Sequence, residues 1–205
     1  MLAIGAKIAA LLLVASGCLS GRPQEDSIPD HPYFPLKVGT TWTYKTKNSG
    51  KDQKSLTLVK KVAKLEKIGD TLAARLETTL NGNVVTAEHF TVTKKGFVRV
   101  TFEGSPLKPP LLVLKAKAAA GDHWKEESQF KEDKLQIDTT CRKETVKVPF
   151  GTHDCLVTET SATLPAGKKL DITAWFAKGI GIVKQKVLID GMPLEVELEK
   201  FTPGN

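Results

Sequence analysis

The chain has 205 residues, 30 of them Lys or Arg and 23 Asp or Glu, for a formal net charge of +7. An apolar share of 40% supports a packed core and excludes wholesale disorder; with one membrane-like apolar run, at the N-terminus, a polytopic membrane protein is excluded as well. Only four of the basic residues are Arg (Arg22, Arg75, Arg99, Arg142), so the guanidinium forks that read guanine edges and phosphates are scarce and no nucleic-acid partner is expected.

Residues 1–17 place Lys7 ahead of the apolar run Ile8–Ala15, followed by small residues and Cys18. This is the layout of a signal peptide, shorter than the roughly 20 residues of a spanning helix. Val14-Ala15-Ser16-Gly17-Cys18 resembles a bacterial lipobox, which implies that Cys18 becomes a lipidated first residue and holds the chain at a membrane. Ala15 stands where Leu is commonest, and Ala15-x-Gly17 also suits an ordinary signal peptidase. Leu19 resembles the pattern that permits outer-membrane sorting, so the expected location is the cell envelope, at the periplasmic face of the outer membrane. Residues 18–32, polar with three prolines, read as the lipidated Cys and a flexible tether.

Residues 33–205 read as a single β domain. Strands are expected near 41–47, 54–67, 71–80, 83–93, 97–103, 123–131, 134–148, 154–164, 169–178, 183–189 and 192–201. Asn81-Gly82 and Asp190-Gly191 are two-residue hairpin turns, since both central positions need positive φ. The first would set Arg75 opposite Glu88. The second sets Val187 opposite Leu194 and Val183 opposite Leu198 on an inner face, with Lys186–Glu195 and Lys184–Glu197 on a wet one. Further turns are expected at Lys94-Lys95-Gly96, Pro149–Asp154 and Pro165–Gly167. Lys115–Ala120 could form a helical turn. The segment from Pro106 to Leu114, Pro-rich and then apolar, reads as a connection, with a flap over the sheet as the other reading. The fold class expected is mainly β: an antiparallel meander forming a strongly curved sheet or half-barrel, with at most one or two short helices.

An internal repeat accompanies this pattern. Gly39-Thr40-Thr41-Trp42 recurs as Gly121-Asp122-His123-Trp124, and the segment opened by Gly69 recurs in that opened by Gly151. His89-Phe90 parallels Trp175-Phe176, and Gly96-Phe97-Val98 parallels Gly181-Ile182-Val183. Two similar halves, 33–110 and 111–201, are expected, which predicts approximate internal symmetry.

Three motifs carry a family likeness: Tyr33 to Tyr44 (YFPLKVGTTWTY), Val148 to Cys155 (VPFGTHDC) and Trp175 to Lys184 (WFAKGIGIVK). They resemble an uncharacterised family of exported bacterial β-sheet proteins and lipoproteins. The resemblance implies a shape similar to unclosed β-barrels of the lipoprotein-carrier type, with an apolar concave face, and it brings no catalytic residues.

Candidate chemistry is sparse. Cys141 and Cys155 would remain in an oxidising compartment; a simple hairpin turning at 149–154 would hold them about six residues apart along the strands, roughly 20 Å and beyond a disulfide's reach, so two buried free thiols are the favoured reading and a bridge the alternative. The histidines (His31, His89, His123, His153) form no H-x-H or H-E-x-x-H pattern, and there is no G-x-S-x-G elbow, P-loop or dinucleotide fingerprint. No catalytic residue, metal or cofactor is expected, and the protein is read as not an enzyme. Trp42, Phe90, Trp124, Trp175 and Phe176 recur at matching places in the two halves, as core packing or as the lining for an apolar ligand. The function expected is that of a membrane-anchored β-sheet module binding an apolar small molecule or an envelope protein. The alternatives are a structural or interaction module with a solid core and, less favoured, a cell-envelope hydrolase. A cavity of about 300 Å³ or more would mark a binder.

Overall fold

The computed structural model describes residues 27–47, 55–163, 167, 169–189 and 192–205. The leader, Cys18, most of the tether and the Asp190-Gly191 turn lie outside the described residues.

Twelve strands follow in chain order: β1 Thr41–Lys47, β2 Thr57–Ile68, β3 Thr71–Leu80, β4 Asn83–Val92, β5 Gly96–Phe102, β6 Ser105–Lys115, β7 His123–Phe130, β8 Asp133–Val148, β9 Gly151–Thr163, β10 Lys169–Ala177, β11 Gly181–Ile189 and β12 Met192–Thr202. Each pairs antiparallel with its chain neighbours, and β1 pairs antiparallel with β12, so the sheet closes on itself as a barrel. This overturns the curved open sheet or half-barrel expected from the sequence. Nor does any of the named elements form a helix; Lys115–Ala120 turns without becoming one. The antiparallel all-β architecture stands.

The missing strand explains the missed closure. Residues 105–115 form β6 instead of a connection or flap. Prolines cannot donate to a ladder and signal edges or loops, and β6 is tolerated because its pairing with β7 is short: only Leu107↔Phe130 and Lys108↔Gln129 face each other. In a meander the first and last strands are antiparallel only when the strand count is even. Eleven strands could close only through a parallel pair, whereas the twelfth lets β1 and β12 pair antiparallel.

Both hairpin readings are testable in the register. Asn81 and Gly82 have φ of 52° and 83°, as their turn demands. A bulge after Thr78 then shifts the pair by one, so Arg75 faces His89 and not Glu88. In the last hairpin Val187↔Leu194, Lys186↔Glu195 and Lys184↔Glu197 pair as expected, but the ladder stops at Lys184 and Val183 has no partner in β12. There the tip of the long β8–β9 hairpin takes over: the Phe150 N–H donates to the Leu198 carbonyl at 2.9 Å. The expected inner face is buried at Val196 and Leu198, whereas Leu194, near the barrel rim, is 45% exposed. The expected wet row is drier than its composition suggests, since Lys184, Glu195 and Glu197 shield one another (side chains 17–19% exposed).

One barrel end carries the turns at 69–70, 93–95, 116–122, 149–150 and 178–180 and is plugged by the chain leading into β1. Phe34 inserts there, its ring 5.2 Å from Trp42 and 4.5 Å from Phe97. His31, assigned to the tether, is buried, and Ile28 packs on the same core. The other end, with the turns at 81–82, 103–104 and 131–132, is the mouth. Leu56, Val84, Val85 and Leu194 are exposed there.

The lead-ins to β1 and β7 match bond for bond. Gly39 and Gly121 both have φ of 89°. The Gly39 N–H donates to Val62 O and the Val62 N–H to Thr40 O; likewise Gly121 donates to Cys141 O, and Cys141 to Asp122 O. The same lead-in geometry thus occurs twice, whereas the boundary expected between the halves at 110/111 falls inside the single strand β6.

Candidate ligand cavity

Strand alternation decides which side chains enter the barrel. On β10, Ala174 and Phe176 line the interior, so Trp175 between them points outward, beneath the Lys184 ammonium (5.3 Å from its ring). Trp42 lies opposite Lys60 and Trp124 opposite Thr139, both facing in. These two tryptophans belong to the floor: Trp42 is fully buried and donates its indole N–H to Ile180 O at 2.6 Å, while Trp124 Nε1 reaches Leu112 O at 3.4 Å.

Above this floor lies an unfilled chamber of about 120 Å³. Phe90, Phe97, Phe102, Leu76, Leu112, Leu135, Ile172 and Phe176 supply most of its apolar wall. Of the five aromatic residues singled out from the sequence, therefore, Phe90 and Phe176 line the chamber, Trp42 and Trp124 lie in the floor, and Trp175 lies on the sheet's outer face, buried beneath Lys184.

The wall also holds polar groups that sequence reasoning did not nominate: Lys60, Glu88, Arg99, Gln185 and the threonines Thr139, Thr158 and Thr160. Arg99 Nη2 approaches Glu88 Oε1 at 3.4 Å, and its guanidinium lies over Phe90 (5.4 Å) and Phe102 (5.7 Å). Burial lowers the pKa of Lys60 below the usual lysine range; Glu88 opposes that shift and Arg99 adds to it. Thr139 Oγ1 and Thr160 Oγ1 share a hydrogen bond of 2.9 Å on the opposite wall. The signal for the charged group was available in principle: Lys60, Glu88 and Arg99 occupy inward positions of β2, β4 and β5. It could be read only once each strand's register was known.

One constellation on the outer surface has the residue types of a hydrolase. His89 Nε2 lies 2.8 Å from Glu66 Oε1, and His89 Nδ1 lies 3.0 Å from Thr101 Oγ1. Thr101, however, is 2% exposed, and its Oγ1 already accepts the His89 backbone N–H at 3.1 Å. No substrate carbonyl can reach that hydroxyl, and the trio acts as a clasp joining β2, β4 and β5.

Cys141 and Cys155 are free and buried, and burial pushes both thiols up to about 11. The hairpin turns at Pro149-Phe150, tighter than expected, so Cys155 faces Glu144 and lies three residues from Cys141 along the strand. That odd offset puts the two thiols on opposite faces of the sheet, and this, more than distance, keeps them apart. Among the described residues no group of three His, Cys, Asp or Glu side chains is placed to hold a metal ion.

No family model and no curated protein matches the chain. Two solved structures do. One is a candidate exported protein with YmcC-like fold from Bacteroides fragilis, 16% identical, with a TM-score of 0.51 over 84% of this chain and 100% of the other. The second is a candidate lipoprotein from Parabacteroides distasonis, 14% identical, with a TM-score of 0.47 over 85% of this chain and 100% of that one. At this identity the Bacteroides fragilis likeness is one of fold.

Proposed function

We propose that the mature protein is a non-enzymatic module of the bacterial cell envelope that binds a largely apolar ligand at its barrel chamber. In this reading residues 1–17 direct export, and Cys18 carries the lipid that holds the chain at the periplasmic face of the outer membrane. The Bacteroides fragilis protein of like fold is itself a candidate exported protein, which agrees with export.

The observation that carries the binding reading is the chamber. Packed protein interiors leave few voids larger than a water molecule, yet here about 120 Å³ stays unfilled between an aromatic floor and an apolar rim. The volume is below the roughly 300 Å³ of a preformed site for a drug-sized molecule. It suits one ring or the end of a slim chain; an engineered apolar cavity of about 150 Å³ binds benzene. The same small volume favours the second reading, an interaction module whose partner docks on the outer surface.

Lipid extraction and mass spectrometry of the purified full-length protein, with titration by the neutral probe N-phenyl-1-naphthylamine, separates the two. A co-purifying hydrophobic molecule and saturable one-to-one probe binding are expected. A clean apo mass without saturable binding leaves the interaction module. Palmitate labelling tests the anchor: Cys18→Ser should lose the label, and equal labelling of both proteins ends the lipoprotein reading.

A further inference from the structure

We propose that the chamber takes a single-chain anionic amphiphile, its carboxylate inward on Lys60 and Arg99 and its tail toward the mouth. The inference rests on the reading that the chamber binds a ligand, and it specifies that ligand's chemistry.

Register brings the charges together. Lys60 faces Trp42 and Thr78, Glu88 faces Leu76, and Arg99 faces Phe90, all on the barrel's inner side. Two cations thus share the interior with one carboxylate. The single contact between Arg99 and Glu88, at 3.4 Å, leaves the guanidinium underused: Arg99 Nε is buried with no hydrogen-bond partner. Phe90 and Phe102 cover its faces and hold it in place. Lys60 makes no hydrogen bond or ion pair among the described residues; its ammonium lies 5.9 Å from the Tyr44 ring, and Glu88 offsets its charge only through space. An ammonium without an ion-pair partner, held largely out of bulk water, is costly, and a ligand anion supplies the missing partner. The surplus is one positive charge, which matches a carboxylate better than a phosphate dianion.

Position along the axis orients the ligand. Lys60 pairs with Trp42 of the floor, and the Arg99 guanidinium lies over Phe90 and Phe102, between the floor and the mouth turn at 103–104, while the exposed apolar residues sit at the rim. A chain entering head first meets both cations below the rim and leaves its methylenes against the rim, where the short chamber need not enclose them.

The test compares dodecanoate with dodecanol, equal tails with charged and neutral heads, by isothermal titration of the full-length protein. Dodecanoate should bind at least tenfold more tightly. The double variant Lys60→Gln with Arg99→Gln should lose that preference yet still bind dodecanol as before. Glu88→Gln removes the internal counter-charge and should increase the preference, a gain that misfolding cannot mimic. Equal binding of the two by the native protein, or a preference that survives the double variant, overturns the anionic head while leaving a binding chamber. Binding of neither overturns both readings.

Discussion

Glu66 is held by three neighbours on the outside of the barrel. Hydrogen bonds from Lys64 and then from His89 bring its carboxyl down to about 2, against the opposing effect of burial. A carboxyl depressed in the folded state contributes stability that is fully present above its ordinary value near 4.5 and is lost as pH falls through about 2. Its side chain is 27% exposed, so solvent screening keeps the contribution at roughly 1 kcal/mol or less. Urea unfolding at pH 7 and pH 2.5 should therefore show Glu66→Gln losing stability at the higher pH and the gap narrowing at the lower, closing only below pH 2. A gap of the same size at both pH values would assign the effect to packing. The clasp was not legible in the sequence, because Glu66, His89 and Thr101 come from three strands and the bulge that sets Arg75 opposite His89 leaves no compositional mark.

Among the elements, β6 and β7 form the weakest seam, with two facing pairs against thirteen between β8 and β9. The Ser128 hydroxyl compensates in part by donating to the Pro109 carbonyl at 2.6 Å, across the stretch where the ladder is missing. Native-state hydrogen exchange should find the amides of β6 and β7 opening before those of β8 and β9. Ser128→Ala should cost about 1 kcal/mol and speed exchange at Leu107 and Phe130 specifically. The hairpins were readable because turn chemistry and alternation agree locally, as at Asn81-Gly82. The seam was not readable: prolines describe what a segment cannot donate, not whether a neighbour will accept it as a strand.

For the molecule as a whole, closure and plugging act together. The chain entering β1 fills one end with Phe34, against Trp42 and Phe97. The far terminus is pinned beside it, where the Gly204 N–H donates to Thr40 Oγ1 at 3.0 Å. Truncating Phe34 leaves a cavity in the floor and should cost about 3–5 kcal/mol in urea unfolding, with ligand binding in the chamber weakened in parallel. A cost below about 1 kcal/mol would mean that the floor stands without the plug.

By itself the sequence determined what short-range physics can settle: antiparallel strands, the Asn81-Gly82 turn with its positive φ, and the pairing of the last hairpin from Lys184 to Ile189. Alternation and turn residues act over a few positions, so they are written locally. Tertiary structure alone decided that β1 meets β12, that a proline-bearing stretch is the twelfth strand, and that Trp175 faces out while Lys60, Glu88 and Arg99 face in. Those outcomes depend on strand parity and on one-residue bulges summed around a ring, and a single shift anywhere reverses which side chains share the interior.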